Sequence, residues 1–115
     1  MPSPPLAPDD GPIDLDHLQR MTLGDSALEQ EVLGMFSAQS AQILSELAAL
    51  PAQAAVQAHT LKGSARAIGA FAVADAAARL ETAFSTGSDP AEPLAELGTT
   101  IAEARAAIAL MLRRS

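Results

Sequence analysis

The chain has 115 residues and a formal net charge of −7, a length suited to one small domain around one core. The acidic balance argues against nucleic acid as a partner, because its phosphates require clustered basic surface. Cysteine is absent, which excludes disulfides and thiolate metal sites.

Alanine supplies much of the apolar fraction, and Phe36, Phe71 and Phe84 are the only aromatics among Phe, Trp and Tyr. That composition favours closely approaching helices over a β-sandwich. No basic segment followed by an apolar run opens the chain, and no apolar stretch approaches the roughly 18 residues of a membrane span. A cytoplasmic protein with no membrane contact is the expectation.

Residues 1–12 are rich in proline, with Asp9, Asp10 and Gly11. They read as a mobile tail, with one domain over residues 13–115. Asp14 is a plausible N-cap for a short helix reaching about Met21, with Leu15 and Leu18 facing inward. His17 in that helix has no nearby cation or permissive glycine, and reads as a solvated surface histidine. Gly24-Asp25-Ser26 interrupts the pattern, and Ser26 with Glu29 reads as a capping box opening a second helix. Leu33, Phe36, Ser40, Ile43, Leu47 and Leu50 then recur at intervals of three and four, a long amphipathic stripe. Pro51 ends that helix and suits the first turn of the next, which the short connection makes antiparallel to it.

The third helix carries Ala54, Ala58, Leu61, Ala65 and Ile68 on one face. His59, Lys62, Gly63 and Arg66 stand on the opposite face, so an imidazole and two cations flank a position with no side chain. A glycine inside an exposed helix costs about 1 kcal/mol relative to alanine. Gly63 therefore has either a helix contact to permit or an approach to the ring to leave open. Gly69 is suited to a left-handed C-cap. A fourth helix follows from near Phe71, with Val73, Ala77, Leu80 and Phe84 on its core stripe. Ala74, Ala78 and Glu81 lie at the edge of that stripe. After a loop over residues 85–89, the last helix begins at Asp89/Pro90 or at Glu92/Pro93, the second proline favouring the later start. Leu94, Leu97, Ile101, Ala104, Ile108 and Met111 form its stripe, and Arg113 and Arg114 complement the negative end of its dipole. One short helix and four longer ones, each with one apolar stripe, predict an all-α, antiparallel up-down-up-down four-helix bundle.

The run His59-Thr60-Leu61-Lys62-Gly63-Ser64-Ala65, with Ile68-Gly69 and Leu80-Glu81 after it, resembles the signature of the histidine-containing phosphotransfer (HPt) domain family. The likeness extends from about Asp14 to the C-terminus. It implies a four-helix bundle carrying a phosphoryl group on His59 between aspartates of receiver domains, in response regulators or hybrid histidine kinases. By the same resemblance, Glu81 matches the position that often supports the histidine.

The residues themselves fit such chemistry. A neutral imidazole is a competent nucleophile near pH 7, since an ordinary histidine titrates near 6.5. Lys62, one turn along, disfavours a second positive charge on the ring and can offset a phosphate. Arg66 can do so at longer reach or meet a partner's acidic surface; a solvated helix face is the plain reading of both cations. Glu81 is otherwise a surface glutamate paired with Arg79 or Lys62. Ser64 is expected to bond locally. Ala55 and Val56, one turn before the histidine, are candidates for a partner-binding surface with Ala52 and residues of the second helix, Val56 being alternatively boundary core. There is no acidic cluster near His59 for Mg²⁺, no phosphate-binding glycine loop and no His-Glu-x-x-His spacing. No cofactor is expected in this chain, the Mg²⁺ coming from the receiver domain, and autonomous kinase activity is not expected. A docking module that is never phosphorylated is the alternative. A hydrolase using His59 as general base would need a nucleophile or metal and a pocket that the sequence does not offer. A monomer is expected, since the chain has no length for an added dimerisation segment.

Overall fold

The computed structural model describes residues 11–49 and 52–113. It contains helices α1 (Leu15–Met21), α2 (Ser26–Leu47), α3 (Ala54–Ile68), α4 (Phe71–Thr86) and α5 (Ala91–Arg113) and, among the described residues, no strand. Helices α2 to α5 pack around one core, α2 against α3 and α5, and α4 against α3 and α5, while α1 lies on α3. This is the all-α bundle with a short extra helix at its N-terminal side. The expectations for residues 1–10, Leu50, Pro51 and Arg114 lie outside the described residues.

The core stripes explain the packing. Leu18, Leu33, Leu47, Leu61, Leu80, Leu97, Ile101 and Ile108 are fully buried. The buried residues of α3 and α4 are mostly alanine: Ala54, Ala58 and Ala65 on α3, and Ala74, Ala76, Ala77 and Ala83 on α4. Small side chains on facing stripes let two helix backbones approach closely. Phe84, Leu94 and Met111 are only partly buried at the rim.

Several local expectations are corrected. The cap of α2 is Asp25, whose carboxylate accepts from Leu28 N at 3.1 Å; Ser26 is the first helical residue. Aspartate one position earlier offers the same short acceptor, so the capping-box spacing pointed one residue too far along. Leu15 is half exposed, and Leu18 with Ile13 supplies the burial on that side. His17 is not a solvated histidine. Its ring meets Phe71 edge-on at 5.1 Å, and its Nε2 is buried without a hydrogen-bond partner among the described residues. Helix α5 starts at Ala91, after Asp89 Oδ1 accepts from Ala91 N at 2.9 Å. Pro93 sits inside the first turn, where a missing N–H has no intrahelical acceptor to lose.

The α3–α4 corner lies close against the start of α1. Gly69 closes α3 at φ 87°, in the left-handed region. Its carbonyl accepts from Asp14 N at 2.9 Å, and Asp14 in turn caps α1 by accepting from His17 N. A side chain at Gly69 would place its Cβ 2.8 Å from the Asp14 carbonyl oxygen. The left-handed C-cap is as the sequence implies; the close approach of the α1 N-terminus is an additional constraint.

Candidate functional site

Helices α3 and α4 run antiparallel and pack against each other, so the outer edge of α4 comes beside the outer face of α3. Glu81, at the edge of the α4 stripe, is thereby brought to His59 and Lys62. Glu81 Oε2 lies 2.9 Å from His59 Nδ1, and Glu81 Oε1 accepts from Lys62 Nζ at 2.7 Å. One carboxylate thus engages both groups through separate oxygens. Arg79 is taken up by Glu96 on α5, its Nε donating to Oε1 at 2.8 Å, so it does not compete for Glu81.

The hydrogen bond from Lys62 first, and then that from His59, hold the Glu81 carboxyl below its ordinary value, against the opposing effect of burial. Glu81 is therefore ionised at neutral pH and can only accept. A neutral His59 facing it must carry its proton on Nδ1. The lone pair is then on Nε2, on the far side of the ring, where no hydrogen bond is made among the described residues. The His59 side chain is 67% exposed, whereas Lys62 and Glu81 are 20% and 29% exposed. The nitrogen with the lone pair thus stands out from a more sheltered ion pair.

The surface around the ring is open. A Cβ at Gly63 would meet nothing within 4 Å, so a close helix contact does not account for this glycine. Arg66 is exposed and makes no hydrogen bond or ion pair among the described residues. Val56 is 66% exposed, which removes its reading as boundary core, and Ala55 is exposed with it. Among the described residues Ser64 makes no hydrogen bond, contrary to the local bond expected of it.

Ser64 instead lines an open, mainly apolar groove of about 300 Å³ between α2 and α3, with Val32, Met35, Phe36, Gln39, Ala67 and Ile68. Sequence reasoning missed this groove because it assigned α2 a single apolar stripe. Leu28, Val32 and Met35, spaced by four and three, form a second apolar line on that helix, and Met35 is 65% exposed. Nearer the start of α3, Gln57 Nε2 donates to the Glu46 carboxylate on α2 and ties the two helices together, while Gln42 Nε2 donates to the same carboxylate from within α2.

Among the described residues no three His, Asp or Glu side chains converge as a metal site, and no helix is long and apolar enough to cross a membrane. The comparisons bear on the family. A model described as the Hpt domain matches residues 31–112. No curated protein and no solved structure matches the chain. The matched span holds α3 and α4 complete, with the His59–Glu81–Lys62 arrangement, and the chain belongs to the Hpt domain family, whose members serve histidine phosphotransfer in phosphorelays and interact there with receiver domains and kinases.

Proposed function

We propose that this protein is a phosphocarrier that takes a phosphoryl group from a receiver-domain aspartate onto His59 Nε2 and passes it to another. The observation that carries the reading is the oriented ring: Nδ1 on an ionised Glu81, and Nε2, on an exposed side chain, without a hydrogen bond among the described residues. Transfer needs positioning and charge stabilisation more than covalent work from the protein. In the forward step the Nε2 lone pair attacks phosphorus, the P–N bond forms, and the P–O bond to the partner's aspartate breaks. The Nδ1 proton stays on the ring, and Glu81 faces the positive charge that the ring acquires. Lys62 offsets the negative charge of the phosphoryl group, with Arg66 further along the same face.

Gly63 leaves the approach to Nε2 free of side chains. Ala55 and Val56, with the apolar groove beside Ser64, offer the partner a broad helical surface in place of a cleft for a small substrate. We assign the Mg²⁺ of the transfer, and the aspartate, to the receiver domain of a response regulator or hybrid kinase.

The test is a transfer assay. The protein and a His59→Ala variant are incubated with a phosphorylated receiver domain, and acid-labile, base-stable label is sought. Label on the wild type alone is the expected result. Label on both would place the acceptor elsewhere. Binding without label on either, across several receivers, would favour a docking module.

A further inference from the structure

Helix α1 ends in a left-handed turn of the kind that glycine usually closes. Gly24 N donates to Gln19 O at 2.9 Å and Leu23 N to Arg20 O at 3.4 Å, the bond pair of a Schellman motif. The left-handed residue just past the Thr22 cap is Leu23, at φ 55°, the one non-glycine residue with positive φ among the described residues. A Cβ in that region is strained, and glycine would relieve the strain. Burial does not account for leucine here, because Leu23 is 91% exposed. Leu15 and Met21 on α1 and Leu28 on the first turn of α2 are exposed as well. Between Leu15 and Glu31 the carboxylates are Asp16, Asp25, Glu29 and Glu31, and Arg20 is the only lysine or arginine. A strained residue that packs against nothing, set among exposed apolar side chains with an acidic surround, points outward to a partner.

This turn stands well away from the histidine. Gln57 on α3 is bonded to Glu46 on α2, and in the groove Val32 to Gln39 lie against Ser64 to Ile68. In that antiparallel register His59 is level with Leu44, so the start of α2 at Ser26 is about 25 Å further along the bundle. A domain about 30 Å across, centred over His59, reaches only about 15 Å to each side.

We infer that the α1–α2 turn is a second docking site, anchored by Leu23, for a basic amphipathic helix of another protein, and that it is filled while His59 stays open. Such a helix matches both properties of the turn. Its apolar stripe covers Leu15, Met21, Leu23 and Leu28, and the lysines or arginines on its flanks meet the surrounding carboxylates. A second copy of this chain, with a net charge of −7, would bring like charge to like. The site holds the protein to one partner and leaves the histidine face for a different domain.

The test uses the full chain, ¹⁵N-labelled, with a synthetic leucine–lysine amphipathic helical peptide as the probe and a leucine–glutamate peptide of equal length as the charge control. The lysine peptide should shift the amide resonances of α1 and of residues 22–28, and leave those of His59 and Gly63 in place. The glutamate peptide should shift none. Leu23→Gly removes the side chain and the strain together. It should therefore melt above the wild type, yet bind the lysine peptide at least about tenfold more weakly. Equal affinity of wild type and Leu23→Gly overturns the anchor, and a lower melting temperature overturns the argument from strain. Equal shifts from both peptides overturn the charge match. Shifts centred on His59 or on the groove overturn the separate site, and no binding of the lysine peptide overturns the proposal as a whole. None of these readings depends on phosphoryl transfer, so failure here is distinct from failure of the phosphocarrier reading.

Discussion

Replacing Gly69 by alanine combines two costs that the fold allows to be separated. The first is conformational. Gly69 has φ 87°, and a residue with a Cβ in the left-handed region costs about 1–2 kcal/mol. The second is a collision. The new Cβ would lie 2.8 Å from the Asp14 carbonyl oxygen and 3.2 Å from Asp14 N and Cβ. These are mostly backbone atoms, and they are committed: the Asp14 carbonyl accepts from Leu18 N, and Asp14 N donates to Gly69 O. Relieving the clash means pulling the start of α1 away from the α3–α4 corner, with loss of about one hydrogen bond, or about 1 kcal/mol, and some burial of Ile13. Gly87 supplies the control, since it too has positive φ, 73°, but nothing lies within 4 Å of its Cβ position.

Gly87→Ala should therefore cost about 1–2 kcal/mol. Gly69→Ala should cost about 3 kcal/mol or more, near the top of the range for single substitutions. Urea denaturation followed by circular dichroism gives both values. At about 4 °C per kcal/mol for a domain of this size, Gly69→Ala should melt about 10 °C or more below the wild type. Equal costs for the two substitutions would show that α1 yields freely, and would refute the reasoning from close approach.

Other predictions concern the histidine face. Gly63→Ala should raise stability by up to about 1 kcal/mol, because the site is an open helix interior, while Gly63→Leu should slow transfer from a phosphorylated receiver at least about tenfold by crowding Nε2. Melting and transfer measured on the same samples check this opposition. Glu81 titrates below its ordinary value of 4.5, chiefly because of Lys62. Its contribution to stability is therefore fully present above the unfolded-state value and is lost as pH falls through the lower folded-state value. Acid denaturation curves of wild type and Glu81→Gln should run parallel at neutral pH and converge below about pH 4; divergence growing toward acid would contradict the assignment. Leu80→Ala, at a fully buried position, should cost about 2–5 kcal/mol in chemical denaturation.

Periodicity made the bundle legible because each long helix has a buried stripe at three-four spacing, and the buried residues of α3 are those the spacing selected. The same reasoning failed where several residues offer similar local chemistry. Asp25 and Ser26 are both good caps, and the choice between them depends on the path of the preceding turn. Leu15 and Leu18 are one turn apart, but the short helix lies against α3 so that Leu18 alone is fully buried. His17 was misread because its neighbour, Phe71, is distant in sequence and is brought to it by the docking of α1. At the site, the spacing of His59, Lys62, Gly63 and Arg66 was readable from one helix. The meeting of Glu81 with the first two was suggested by resemblance, and the register of α3 on α4 supplies its geometry. The groove was not readable, because it depends on the gap left between two helices and on which side of Met35 faces it.

The alanine interface between α3 and α4 also bears on mechanics. Alanine has no side-chain torsion that can rearrange packing, so the alanine-rich buried faces of the two helices offer fewer rotamers to exchange than faces of leucine or methionine would. His59 and Glu81 stand on opposite sides of this seam. Any movement between them must come from whole-helix displacement against the core or from torsions of the two polar side chains themselves. The seam thus behaves as a stiff mount that keeps the backbone positions of the imidazole and its carboxylate in register, while the longer side chain of Lys62 retains the reach to adjust to charge. In a surface site without walls, this stiffness takes the place of an enclosing pocket in setting the direction of the ring.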